Sequence, residues 1–323
     1  RWLWNLVETA DQVVQREFWQ KAPVHHHEMI LEDIQYAIRR LLNVRRNFSA
    51  LCLASHAKSK LPITDVALVL EITATTECSE QVDTMISYYA EKLLERVQSS
   101  QEIELKEKMK LEWMYISVLT SLDSRIGPKT LHEDMSNNPS TFVDVLSMVF
   151  KPRYDDTAQE DEDQEIEQID AVGERVAESA FKLLNSWQLI PGKTPEGSID
   201  VLKLKTWIDN VIILAKKRGF LEVALCKIGN VLSYAESEAD GQWPCNSICE
   251  VLEYYRDDQI GLNFRIGVHN QRGMTVRGMY DGGMQERTLI EKYKSYASQV
   301  MSTYPRVSDI LNDIANDFER DAK

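Results

Sequence analysis

Apolar residues recur through most of the chain at the three- and four-residue spacing of an amphipathic helix. The first such run, 3–20, carries Leu3, Leu6 and Val7 on one side. Further helices are predicted at about 28–42, 47–53, 65–70, 85–94, 101–122, 139–152, 172–187, 200–218, 220–235, 244–256, 284–303 and 306–323. Strict alternation of apolar and polar residues between turn signals, which would indicate β-strands, is weak throughout. The pattern therefore predicts an all-α protein.

About a dozen helices joined by short connections are typical of an array in which neighbouring helices bury each other's apolar faces. The chain has only 13 Gly and 9 Pro, which is sparse punctuation for 323 residues. Neither the tetratricopeptide nor the ankyrin spacing is present. We expect an irregular α-solenoid, a helical-repeat-like array of antiparallel helices. Most of the seven tryptophans fall at helical core spacing, and we expect those inside.

The most acidic stretch of the chain, 155–167, is the best candidate for a boundary between two parts. Runs of like charge repel one another and favour exposed connections. The predicted organisation is an N-terminal helical lobe at 1–153, an acidic linker at 154–170 and a C-terminal helical lobe at 171–323. The second lobe contains a segment rich in Gly and Arg at 261–287.

Composition restricts the classes of partner. The formal net charge of −14 argues against broad binding to nucleic-acid phosphates, which needs a positive field, and against docking on anionic membranes. No apolar run approaches the roughly 20 residues of a membrane span. A local basic site remains compatible with the net charge, because net charge does not describe patches. We expect a protein partner and no membrane.

The five cysteines are an odd number and are widely spaced, which does not indicate a disulfide framework. Reduced thiols in a cytoplasmic protein are the expectation. No signal peptide is visible at the N-terminus. The chain begins at Arg1 rather than Met, so we expect a piece of a longer protein.

The Gly/Arg segment at 261–287 holds six of the 13 glycines and no acid until Asp281. Guanidinium groups recognise carboxylates and phosphates, and glycine lets a backbone approach closely. The hypothesis is a site for an anion or an acidic partner. Its candidate residues are Arg265, His269, Arg272, Arg277 and Arg287. The alternative is an interhelical connection whose arginines pair with carboxylates of neighbouring helices.

A second hypothesis is an enzyme or anion-binding site that gathers His132, Glu133, His269, Arg272 and Arg277. Acid–base catalysis needs a base within reach of a nucleophile or a water molecule, so these residues would have to converge in one cleft. No Gly-x-Ser-x-Gly elbow and no Cys-His-Asn set accompanies them. A connector whose side chains cap adjacent helices is the simpler interpretation of His132 and Glu133. We therefore assign no catalytic residue.

Metal binding has little support in the sequence. The consecutive histidines 25–27 at a helix start point in different directions, whereas zinc needs converging ligands. Cys245 and Cys249 share a helix face but have no second cysteine pair, and small apolar packing is the ordinary role of a free thiol. We expect neither a metal nor another cofactor.

Four stretches occur together in an order that resembles a known type of chain. They are PKTLHE at 128–133 with FKPR at 150–153, LNSW at 184–187 with 191–192 and 197–207, DGQWP at 240–244, and NQRG at 270–273 with 277–278 and GGMQER at 282–287. This order resembles the C-terminal helical region of very large multidomain bacterial proteins of unknown function, some of defence or signalling type. The resemblance covers about the last 200 residues. It implies a sensor or scaffold segment, and no catalytic residues are assigned to that region.

These observations favour a non-catalytic protein-interaction or sensor/scaffold module from a larger bacterial protein. Its partner would be another protein or other domains of the parent chain. The oligomeric state and the curvature of the array are open.

Overall fold

The chain folds almost entirely into α-helices. The computed structural model describes residues 2–24, 29–57, 60–77, 79, 85–153, 171–273 and 283–322. Within these ranges it has seventeen helices and no strand. Lys193 and Ile199 form an isolated antiparallel β-bridge. The prediction of an all-α protein is confirmed.

Residues 1–131 form the first of two compact units. Its helices are α1 Trp2–Glu8, α2 Gln12–Lys21, α3 Leu31–Asn43, α4 Asn47–His56, α5 Ile63–Thr75, α6 Ile86–Ser99, α7 Leu105–Met114 and α8 Ile116–Leu119. Helix α9, Lys129–Asn137, begins in this unit and continues into the next. The predicted helix at 3–20 is divided into two helices, α1 and α2. Asp11 caps the start of α2, because its carboxylate accepts hydrogen bonds from the backbone N–H groups of Val13 and Val14.

Residues 132–323 form the second unit. Its further helices are α10 Pro139–Val149, α11 Ala171–Ser186, α12 Val201–Arg218, α13 Leu221–Leu232, α14 Asn246–Tyr254, α15 Asp258–Gln271, α16 Met284–Val300 and α17 Pro305–Asp321. Residues 132–153, which the sequence analysis assigns to the first lobe, belong to this unit. The predicted acidic linker at 154–170 lies outside the described residues and stays a prediction.

The core of the first unit follows from helical periodicity. In α3, the side chains of Ile34, Ile38 and Leu41 are spaced by four and three residues and are all buried. They pack in one cluster with Trp19 of α2 and Leu51 of α4. Burial of a full aliphatic side chain contributes about 1.5–3 kcal/mol, so this stripe is what holds α3 in place.

The second unit has an aromatic core. The ring centroids of Phe142, Trp187 and Trp207 lie 5.1–5.8 Å apart, on α10, directly after α11 and on α12. Both indoles are satisfied, because Trp187 Nε1 donates to Ser136 Oγ at 2.9 Å and Trp207 Nε1 donates to the Met135 carbonyl at 3.1 Å. These rings are buried, as is Trp19 in the first unit, which confirms the expected interior position for these three tryptophans.

Helix α15 is the main departure from the predicted elements. The sequence analysis places no helix between 256 and 284 because the glycines there resemble loop punctuation. Gly267 instead lies inside α15, where an added Cβ would come within 2.4 Å of Ser233 Oγ just after α13. Gly229 of α13 faces the same crossing, and its added Cβ would meet the Ile260 carbonyl oxygen at 2.5 Å. These glycines allow two helix backbones to pack closely, so they support a helix pair rather than a loop.

None of the helices in the described ranges is long and apolar enough to cross a membrane.

Candidate functional site

Arg265 lies inside α15 and is held by two acids of α17. Its guanidinium forms a bidentate pair with Asp317, with one N–O distance of 2.6 Å, and reaches Asp313 at 3.4 Å. The hydrogen bonds to Asp317 raise the pKa of Arg265 above its ordinary value. The fork geometry of arginine matches a carboxylate in this way, so Arg265 ties α15 to α17.

Arg272 and His269 also face neighbouring helices. Arg272, directly after α15, pairs with Glu286 in the first turn of α16 and lies 5.6 Å from the ring centroid of Phe318. The His269 ring packs on the same phenylalanine at 4.5 Å, with its Nε2 3.6 Å from an Asp321 carboxylate oxygen. Arg287 is exposed near the start of α16. The structure thus describes four of the five candidate residues.

Arg277, the fifth candidate, lies outside the described residues. The three located residues that face helices have carboxylate or aromatic neighbours within the unit, which agrees with the interhelical alternative of the sequence analysis. An external acidic ligand would have to compete with Asp317 for Arg265 and with Glu286 for Arg272. The binding role of this segment stays a prediction.

Replacing Arg272 by Ala is expected to lower the free energy of unfolding by roughly 3 kcal/mol, because Glu286 is only 1% exposed and would lose a charged partner. Urea denaturation measures this change. Arg287→Ala is the control, since Arg287 is exposed and should change stability by less than about 0.5 kcal/mol. Equal stability of the two variants would contradict an internal role for Arg272 and would favour the binding-site hypothesis.

His132 lies in α9 beside Ser186, the last residue of α11. His132 Nε2 is 3.1 Å from Ser186 Oγ, a distance that a serine nucleophile and its base could adopt. The hydroxyl, however, donates to the Leu183 carbonyl at 3.1 Å, and burial lowers the pKa of His132 to about 4. A base with that pKa is poorly matched to proton transfer near neutral pH. Glu133 is exposed on the same helix.

The residues of the predicted enzyme site have different neighbours. His132 contacts the end of α11, whereas His269 and Arg272 contact α16 and α17. A cavity of about 390 Å³ beside His269 is lined by Arg265, Ile266 and Asp321 among others, and neither His132 nor Glu133 lines it. The geometry of the described residues gives no shared cleft to this set.

The half-buried His132, neutral at pH 7, predicts a pH-dependent stability. Its pKa of about 4 in the folded chain lies below the unfolded value near 6.5, so the unfolded chain binds a proton more readily between these values. The contribution of neutral His132 to the free energy of unfolding is fully present above about pH 6.5 and is lost as the pH falls toward 4. This loss is about 2 kcal/mol after allowance for solvent screening. Unfolding free energies of the wild type and His132→Gln between pH 5 and 8 test this; parallel pH curves would contradict it.

No group of three or more His, Cys, Asp or Glu is placed to hold a metal ion in the described part of the chain. The histidines 25–27 lie outside that part. Cys245 and Cys249 are free thiols, and burial raises the pKa of both, that of Cys249 to about 12. Both are therefore protonated at neutral pH, which is unsuited to nucleophilic attack.

A groove in the second unit has a combination of charge and shape that the sequence analysis missed. We call it the basic groove; its cavity volume is about 1000 Å³. Its apolar lining is Phe150, Phe220, Leu221, Val223 and Leu225. Its charged lining is Lys151, Arg153, Lys216, Glu222 and Lys227. Four cations and one carboxylate give it a formal charge of 4 − 1 = +3, within a chain of net charge −14.

The turn between α12 and α13 builds the groove. Gly219 ends α12 with a φ of 77°, a left-handed conformation that favours glycine. Its carbonyl accepts from the Arg153 backbone N–H at 2.7 Å, and a Cβ at Gly219 would meet the Arg153 carbonyl oxygen at 2.9 Å. Glycine thus lets the segment 150–153 lie against the turn, with Lys151 and Arg153 beside the start of α13.

The cations of the basic groove have few acidic partners in the part of the chain that the structure describes. Lys151 and Lys216 form no ion pair within the described residues, and Lys227 donates to the neutral Asn185 Oδ1 at 2.9 Å. Arg153 approaches Glu222 at 3.4 Å, but both side chains are largely exposed, so the pair contributes little. A sequence signal existed in the basic run 216–218 and in Lys151 and Arg153, yet nothing in one sequence indicates that these residues are neighbours.

A scan of protein-family models, a search of curated proteins and a search of solved structures each found no match to this chain.

Proposed function

We propose that this chain is a non-catalytic protein-interaction or scaffold module of a larger bacterial protein. The basic groove is the observation that carries the proposal, because it combines accessible apolar side chains with two lysines that form no ion pair among the described residues. Surfaces of this kind bind macromolecular partners, since apolar contact supplies affinity and charge supplies orientation. The partner is another protein or another domain of the parent chain, in a cytoplasm that keeps the thiols reduced.

The helices of each unit are proposed to stack as an irregular α-solenoid of antiparallel helices. In the second unit, α10 packs on α11 and α12, α12 packs on α13 and α14, and α13 packs on α15. Helices α15 and α16 both pack on α17. In the first unit, α4 packs on α3, α5 and α6. Packing between helices close in sequence supports a solenoid, in which each element contacts its neighbours along the chain.

The competing enzyme or anion-binding function has less support. Its residues His269 and Arg272 contact Asp321 and Glu286 within the unit, and His132 has a pKa of about 4. A reaction centre needs groups that converge on one position where a substrate atom can react.

Site-specific photocrosslinking in cells of the source organism tests the proposed function. A photoreactive residue replaces Val223 in the basic groove, and matched variants carry it at the exposed Leu202 and Met301. An interaction module gives discrete protein adducts from some positions and not from others. The proposal would be contradicted if none of the three positions gave an adduct. It would also be contradicted if all three positions gave the same unresolved mixture of adducts.

A further inference from the structure

Several cations elsewhere in the second unit have acidic partners. Lys193 pairs with Glu236 at 2.6 Å, and Lys205 pairs with Glu250 at 2.7 Å. In a chain with 51 acids and 37 basic residues, such partners are plentiful. Lys151 and Lys216 of the basic groove have no such partner among the described residues.

Lys227 strengthens this contrast because it is half-buried. Its ammonium has a neutral amide as its hydrogen-bond acceptor, and burial lowers the pKa of this lysine below its ordinary value. A carboxylate bound beside Lys227 would favour the charged ammonium and offset the cost of burial. The site is therefore better satisfied with an anionic ligand than without one.

The start of α13 lies in the same groove. Phe220 at its N-cap provides no side-chain hydrogen bond, and Leu221, Glu222 and Val223 of the first turn line the groove. The first N–H groups of a helix have no acceptors within the helix and carry a partial positive charge. They add hydrogen-bond donors for a carboxylate to those of the lysines.

We propose that the basic groove binds an acidic segment of another protein, in which carboxylates flank apolar side chains. This inference rests on the proposed interaction function and names the chemistry of its partner. Carboxylates of the segment pair with Lys151, Lys216 and Lys227. Its apolar side chains pack on Phe150 and Val223, which are half-buried and accessible.

An acidic protein segment fits better than a nucleic acid or a small molecule. Nucleic-acid binding needs an extended positive field, whereas the chain as a whole carries −14. Small-molecule sites are mostly enclosed cavities of about 300–1000 Å³, and the basic groove reaches the upper end of that range while open to solvent. Its mixed apolar and cationic lining matches a peptide with alternating apolar and acidic residues.

The test is a fluorescence-anisotropy titration of the full chain with a labelled synthetic peptide. The peptide has about twelve residues, in which Glu or Asp alternates with Leu or Phe. The wild type is expected to bind it, and Lys151→Glu with Lys216→Glu should weaken binding about tenfold or more. Glu222→Gln should strengthen binding about twofold, because it removes the carboxylate of the groove.

Lys294→Glu is the matched control, because Lys294 is exposed on α16 and is in no ion pair within the described residues. It applies the same change of charge per site away from the groove and should leave affinity nearly unchanged. Lys151, Lys216, Glu222 and Lys294 are all exposed, so the variants should fold, and circular dichroism checks this. No binding by the wild type, or equal losses from the groove and control variants, would overturn the proposal.

Other occupants are distinguished by three further measurements. Tighter binding of a single-stranded oligonucleotide of equal charge would replace the peptide assignment. So would a dimer in sedimentation that the groove variants dissociate, which would make a second copy the occupant. Peptide binding seen only after the nine acids of 154–170 are changed to amides would assign the groove to the chain's own acidic segment.

Failure of this inference is separable from failure of the proposed function. Crosslinked partners that persist in the double groove variant, with no peptide binding by the wild type, would overturn the acidic-segment assignment alone. Crosslinking that yields no partner from any position would contradict the interaction function itself.

Discussion

Replacing Gly229 by Ala is expected to lower the free energy of unfolding by roughly 3 kcal/mol, although Ala is the better helix former. The new Cβ would lie 2.5 Å from the Ile260 carbonyl oxygen and 2.8 Å from the Phe264 backbone nitrogen. These are backbone atoms of α15, so relief requires α13 and α15 to move apart. Overpacking of this kind costs about 1–3 kcal/mol or more, which exceeds the gain of about 1 kcal/mol in helix propensity. Thermal and urea denaturation measure the change.

Gly261→Ala provides the matched control within α15. Its added Cβ would meet Ile310 Cδ1 at 3.2 Å, the end of a side chain that can rotate, and its φ is in the helical range. The gain in helix propensity and the cost of the tighter contact should nearly cancel, so the free energy of unfolding should change by less than about 1 kcal/mol. Similar losses in both variants would show that the close crossing at Gly229 is not the cause.

Replacing Glu112 by Ala is expected to cost roughly 3 kcal/mol in the first unit. The side chain is 1% exposed and accepts from the backbone N–H groups of Thr130 and Leu131 at 2.9 and 2.8 Å. It also accepts from Gln98 Nε2 at 2.7 Å. Removal leaves two buried backbone donors at the first turn of α9 without this acceptor, and each unsatisfied group costs about 1–3 kcal/mol before relaxation. The half-buried Gln98 loses one acceptor but also donates to the Gly127 carbonyl at 2.9 Å. Denaturation followed by circular dichroism measures the loss.

Glu112→Gln is the control, because its amide oxygen retains one acceptor and should recover part of the stability. The two proteins should also differ in pH dependence. Burial raises the pKa of Glu112 above the ordinary value of 4.5, so the folded chain binds this proton more tightly than the unfolded chain. The contribution of Glu112 to stability therefore declines as the pH rises from 4.5 to the folded pKa, and Glu112→Gln lacks this decline. An Ala variant as stable as the wild type would contradict the capping role.

The sequence predicts the helices well where apolar spacing is regular and poorly where packing decides. The stripe of Ile34, Ile38 and Leu41 is evident from periodicity alone, and it is buried as expected. Helix α15 is not evident, because the need for glycine at position 267 comes from its close contact with Ser233, which lies in another part of the chain. Propensity is local, whereas a close helix crossing is a property of two segments.

The candidate site could be predicted only in part, for a related reason. The sequence reveals that Arg265 and Arg272 lie in a region free of acids, but not that α16 and α17 bring Glu286 and Asp317 to them. The basic groove likewise joins Lys151 to Lys216 and Lys227, which are separated by many residues in the chain. Charge sums along a sequence cannot show which cations are paired in space.

Hydrogen–deuterium exchange of the chain with and without the bound acidic peptide tests the central claim most directly. That claim is that the module binds partners through the basic groove, while the arginines of α15 hold helices together. The account predicts slower exchange at 150–153 and in the first turns of α13, with α15 and α17 unchanged. Protection confined to α15 and α17, with the groove unchanged, would contradict it.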